Sequence, residues 1–131
     1  MNSEQTIYQQ LGESAGLLRI IQTFYGKVVQ EPLLAPLFPE DLNPVIERQH
    51  QFLTQFFGGP PLYSEQHGHP MMRARHMRFP VTNERADAWL GCMNAALRDQ
   101  AVEDELREFV IDRLKGPAYH FVNTSSSEGR A

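Results

Sequence analysis

The sequence predicts an all-α domain, and three observations carry that reading. Apolar residues recur at three- and four-residue spacing along successive long segments, the mark of a helix with one buried face. Proline and glycine cluster between those segments, where helix boundaries belong. No segment shows the sustained apolar–polar alternation of a strand.

In "SAGLLRIIQTFYGKVVQ", Leu17, Ile20, Ile21, Phe24, Tyr25 and Val28 form one apolar stripe. Ser14 is the expected cap, and Glu31-Pro32 disfavours continuation, because the residue before a proline avoids the helical region. The proline-rich "PLLAPLFPEDLNP" holds at most a helical turn. Asn43-Pro44 then reads as a cap followed by proline in the first turn. Ile46, Gln49, Leu53 and Phe56 mark the inward face of that second helix, and Gly58-Gly59-Pro60-Pro61 ends it. Residues 60–82 read as irregular, with a short helical piece around Pro70–His76. Thr82 is positioned to cap "NERADAWLGCMNAALRDQ", whose stripe is Ala86, Trp89, Leu90, Met93 and Leu97. A last helix near 103–122 carries Leu106, Phe109, Val110, Leu114 and Phe121, with a kink or break expected at Gly116-Pro117.

The 131 residues suffice for one domain with a real core, over residues 1–123. Residues 124–131, "TSSSEGRA", are too small and polar to order themselves and read as a tail. Hydrophobic residues make up 41% and charged ones 21%, a globular balance. A net charge of −4, with no basic stripe, argues against nucleic acid or an anionic membrane as partner. The single cysteine, Cys92, rules out an internal disulfide. No apolar run approaches the roughly 20 residues of a membrane helix, and "MNSEQTIYQQ" lacks the regions of a signal peptide, so the expected location is the cytoplasm.

Of the five histidines, His67 and His69 sit in a turn-rich stretch and are expected at the surface. His50 adjoins the inward Gln49 and should face solvent, and His120 lies near the end of a helix of mixed character. His76, in "RARHMRFPVT", stands among apolar residues before Pro80 and is either a surface histidine or, pointed inward, a metal ligand. Tyr25, Gln49 and Trp89 place polar donors inside apolar stripes. Each buried donor needs a partner, and leaving one unsatisfied costs about 1–3 kcal/mol. Backbone carbonyls or water can serve each of them, or all can converge on one cavity. The chain has no P-loop, no G-x-S-x-G and no H-E-x-x-H. Cys92, inside an apolar helix, reads as structural.

The ordered motifs "TFYGKV", "LAPLFPEDL", "QFLTQFFGGP", "YSEQHGHPMMRARHMRFPVT" and "ERADAWLGCM" resemble the truncated haemoglobins, and within them the second group. The resemblance spans about residues 6–122. It implies a shortened globin, with two antiparallel helix pairs (near 14–30 with 44–57, and 83–100 with 103–122) packed two-over-two around haem b. In that family pattern His76 is the proximal iron ligand. Tyr25, Gln49 and Trp89 occupy the distal polar positions, and Phe38 packs on the haem. Arg75 is the implied propionate partner, with Tyr63 a second. Leu53, Met72, Phe79 and Met93 are implied wall residues. Val45, at the distal access position, departs from the small or hydroxyl-bearing residues common there and offers no donor. Gly12 and Gly16 stand apart where the family pairs its glycines.

The implied function is reversible binding of oxygen, and of carbon monoxide, nitric oxide or peroxide as further ligands, by a monomer or homodimer. Bound oxygen carries partial negative charge, so each donor aimed at it contributes on the order of 1–2 kcal/mol, and two slow release roughly 30- to 1000-fold. That favours tight binding over efficient oxygen transport. The alternative is a redox enzyme, a peroxidase or nitric oxide dioxygenase, that draws electrons from a separate reductase. A haem-free helical interaction module would instead satisfy Tyr25 and Gln49 internally and fold fully without cofactor.

Overall fold

A computed structural model describes residues 5–68, 82–120 and 122. The chain opens on a single turn, α1 (Ile7–Gln10), held by a reciprocal cap. Thr6 Oγ1 accepts from Gln9 N–H at 3.1 Å, and Gln9 Oε1 accepts from Thr6 N–H at 3.0 Å. The first apolar stripe forms α2 (Glu13–Val28). A 3₁₀ turn follows at Ala35–Leu37, and then α3 (Asn43–Phe56) and the short α4 (Leu62–His67). The last two helices are α5 (Asn83–Asp99) and α6 (Asp104–His120). Among the described residues no strand occurs.

Several local expectations need correction. Ser14 lies inside α2 rather than capping it; the cap position is Gly12, whose left-handed φ of 99° turns the chain sharply out of α1. Asn43 is the first residue of α3, and Asp41 Oδ1 accepts its N–H at 3.1 Å. Within the stretch read as irregular, α4 is fixed by a two-way bond. Gln55 Nε2 donates to Ser64 Oγ, and Ser64 N–H donates to Gln55 Oε1, both at 2.9 Å. Helix α6 runs through Pro117 without a break. Tyr119 Oη donates to the Asp87 carboxylate and ties the last turn of α6 to α5. The Thr82 cap stands as read, accepting from Arg85 N–H at 3.1 Å.

Helix α2 packs against both α3 and α5, and α5 against α6. Leu17, Ile21, Phe24 and Val28 of α2 are fully buried, as are Leu53 of α3, Ala96 and Leu97 of α5 and Val110 of α6. The helix pairs α2/α3 and α5/α6 therefore share one core, the two-over-two arrangement expected. Lys27 Nζ meets Asp99 Oδ2 at 2.7 Å, and Gln100 Nε2 donates to Thr23 Oγ1 at 3.0 Å, bracing α2 against the end of α5.

Gly16 is required by space. A Cβ there would stand 2.1 Å from the Leu11 carbonyl oxygen, a backbone atom that cannot yield without moving the α1–α2 corner. Gly16→Ala is expected to cost about 1–3 kcal/mol. Circular dichroism should read that as a melting temperature lower by roughly 4–12 °C. A Cβ on Gly59 would meet the Tyr8 ring at 2.8 Å, so the end of α3 receives α1 only because that position is bare. Residues 124–131 lie outside the described residues.

Candidate functional site

Tyr25 follows Ile21 by one helical turn, so the α2 stripe that builds the core also carries this phenol inward. On α3, Gln49, Phe52 and Leu53 share a face by the same periodicity, and on α5 Arg85, Ala86 and Trp89 do so. These faces meet around one cavity. Leu34, Leu37 and Phe38 close one side, and Leu114, Pro117 and Ala118 of α6 another. The cavity encloses about 140 Å³ and opens to solvent on one side. Its walls are mostly hydrocarbon and aromatic, with a few donors set into them.

Tyr25 is 3% exposed, and no group among the described residues hydrogen-bonds its hydroxyl. Burial pushes its pKa far above the usual phenol value, and the Arg48 charge opposes that only weakly. The hydroxyl therefore keeps its proton and stands as a donor. Gln49 and Trp89 are half-buried at the same cavity and add an amide and an indole N–H. Arg85 Nε donates to the Leu33 carbonyl at 2.9 Å, pinning the 34–38 wall to α5 one turn before Trp89.

The rings form a connected frame. Phe24 meets Tyr25 edge-on with centroids 4.8 Å apart and Trp89 edge-on at 5.1 Å. Phe38 meets Tyr25 at 5.7 Å, also edge-on. Such contacts suit the ring quadrupoles and restrict tilt.

Of the residues singled out from sequence, Tyr25, Phe38, Gln49, Leu53 and Trp89 converge on the cavity. Val45 does not line it; half-buried, it packs at the core edge one turn before Gln49. Tyr63, 1% exposed on α4, stands edge-on to Phe52 at 5.8 Å, and Met93 lies in the core one turn beyond Trp89. Met72, Arg75, His76 and Phe79 lie outside the described residues, as do His69 and the His67 side chain. His50 is half-buried, not turned to solvent: its Nε2 lies 3.1 Å from the Ser14 carbonyl and 3.3 Å from the Ser14 hydroxyl. Helix α2 begins close enough to receive it. His120 is exposed at the end of α6.

Sequence reasoning misses Leu34, Leu37, Phe52, Arg85, Ala86, Leu114, Pro117 and Ala118 as wall residues. Phe52, Arg85 and Ala86 follow from helical spacing to Gln49 and Trp89, at three or four residues. Pro117 gives no such signal, since proline suggests a break rather than a wall. Cys92 is half-buried, and burial with the nearby Glu31 charge raises its pKa against a smaller lowering by Lys27. That disfavours the reactive thiolate. No group of three or more potential metal-ligating side chains occurs among the described residues. An arrangement of apolar walls with protonated donors suits a largely apolar ligand that presents negative charge toward Tyr25, Gln49 and Trp89.

Comparison with known proteins agrees with that geometry. The bacterial-like globin family model matches residues 6–123. The chain is 52% identical to a group 2 truncated haemoglobin of Bacillus subtilis over 124 residues, 95% of this chain and 93% of that protein. It superposes on the group II truncated haemoglobin of Bacillus anthracis with a TM-score of 0.90 and 47% identity, covering 93% of this chain and 99% of that one. It superposes on an oxygen-avid truncated haemoglobin of Bacillus subtilis with a TM-score of 0.86 and 52% identity, covering 91% and 100%. The ordered motifs, the helical architecture and these matches agree: the chain belongs to the bacterial-like globin family, among the group II truncated haemoglobins.

Proposed function

We propose that the cavity holds haem b, with His76 as the protein ligand to iron, and that the protein binds oxygen reversibly and with slow release. Carbon monoxide and nitric oxide are further ligands of the same site. The cavity's chemistry fits the group: apolar and aromatic walls suit the porphyrin faces, and the donors of Tyr25, Gln49 and Trp89 stand in a mostly apolar space. Bound haem supplies an iron that takes a diatomic ligand and shifts negative charge onto it. Tyr25 answers that charge with a hydroxyl that keeps its proton, and Gln49 and Trp89 offer the next donors. Phe38 and Leu53 keep water from competing for them. Arg75 and Tyr63 are the proposed partners of the propionates, and Met72 and Phe79 the proposed further wall residues, while Met93 stays in the core behind Trp89.

The single observation that carries this reading is Tyr25, 3% exposed, whose hydroxyl stands at a mostly apolar cavity with no hydrogen-bond partner among the described residues. Its proton is therefore available to a ligand that accepts from it. Oxygen and carbon monoxide off-rates test the reading together. Because carbon monoxide gathers less negative charge, removing donors should accelerate oxygen release far more than carbon monoxide release. Equal effects on both ligands would contradict it.

Tyr25, Phe24 and Trp89 are linked ring to ring beside the cavity, which favours redox use of the same site as a second reading. Dioxygenation of nitric oxide would then require a separate reductase. Repeated turnover with nitric oxide after adding reduced cell extract supports that reading, and a single turnover only opposes it. The proposed location is the cytoplasm, where the one cysteine stays reduced; among the described residues no helix is long and apolar enough to cross a membrane.

A further inference from the structure

Among the described residues, no hydrogen bond reaches the Tyr25 hydroxyl or the Trp89 indole N–H. Their directions are therefore set by what touches their rings. Phe24 touches both, edge-on at 4.8 Å to Tyr25 and 5.1 Å to Trp89, with interplanar angles of 73° and 67°. It is 0% exposed, so it has no free volume into which to swing. It is not itself a wall of the cavity. A phenol oxygen sits at the far end of a rigid ring, and a tilt at the ring's contact with Phe24 is magnified at that oxygen.

We propose that Phe24 is a positioning residue that sets the angles of Tyr25 and Trp89 together, making the donors on α2 and α5 one coupled unit. The inference rests on the reading of those residues as donors to a bound diatomic ligand. A wedge shared between two rings transmits any shift of one to the other, because packed interiors do not deform smoothly. Removing the wedge therefore degrades both donors at once, without removing either polar group.

The test compares Phe24→Leu and Phe24→Met in the natural chain and in a Tyr25→Phe/Trp89→Phe background. Oxygen release and the C–O stretching band of the carbon monoxide form are the readouts. In the natural chain either substitution should speed oxygen release roughly fivefold and split or broaden the band. In the double-variant background, which keeps Gln49, the same substitutions should change release by less than about 1.5-fold, since the groups they position are gone. Equal acceleration in both backgrounds would show that Phe24 acts through cavity volume and would overturn the proposal, as would no change in the natural chain. If the double variant itself releases oxygen at the natural rate, the reading of Tyr25 and Trp89 as donors fails first and this inference falls with it. Trp89 is the only tryptophan, so fluorescence anisotropy of the haem-free protein gives an independent readout. Faster indole motion in the Phe24 variants supports the wedge, and unchanged motion opposes it.

Discussion

Tyr25→Phe is expected to accelerate oxygen release roughly 5- to 30-fold, the effect of losing one donor worth about 1–2 kcal/mol. Carbon monoxide release should change by less than about twofold, because that ligand gathers little negative charge to answer. The haem-free protein should lose no stability, since the hydroxyl has no hydrogen-bond partner among the described residues and the ring packing against Phe24 and Phe38 is retained. A loss of function without loss of stability distinguishes a ligand-binding group from a structural one. The pH dependence points the same way. Burial raises the Tyr25 pKa in the folded protein above its unfolded value. Stability from this group is then fully present below the unfolded phenol value of about 10 and is lost as pH rises toward the folded pKa. Tyr25→Phe should therefore flatten the alkaline limb of a melting-temperature profile. A limb of unchanged slope would show that Tyr25 is not the buried phenol responsible.

His76→Gly should weaken haem binding at least about 100-fold. Haem that binds only the folded chain stabilises it by about 4.1 kcal/mol when free haem is about 1,000 times its dissociation constant. A 100-fold loss removes about 2.7 kcal/mol of that, a fall of roughly 10 °C in the melting temperature measured with haemin. The haem-free melts of the two proteins should coincide within a few degrees. Added imidazole should restore the natural spectrum by filling the vacated ligand position. If His76→Gly keeps its haem and its spectrum without imidazole, another side chain holds the iron.

Much of this site is legible in the order of the residues alone, and the reasons are physical. The α2 and α5 stripes are strongly periodic, so Tyr25 and Trp89 have to face the core. Gln49 is legible as a polar residue on an otherwise inward face of α3. That these residues meet at one cavity is not, because helical spacing fixes a face but not the direction in which two helices cross. The contacts of His50 with Ser14 escape the sequence for that reason: α2 starts at Glu13, and this puts the carbonyl of residue 14 within reach of α3. Arg85 is easily overlooked because its role depends on the backbone of Leu33, distant in sequence and brought close only by the fold. Pro117 misleads, since α6 runs through it to His120 although proline tends to end a helix.

The most direct test of haem binding and reversible oxygenation is the absorption spectrum of the purified ferrous protein, taken without oxygen, then in air, then under carbon monoxide. A haem held by His76 predicts a Soret band that shifts on exposure to air, reverts when oxygen is removed, and shifts again with carbon monoxide. A protein that shows no Soret band after reconstitution with haemin, or a ferrous band that neither gas moves, would contradict it.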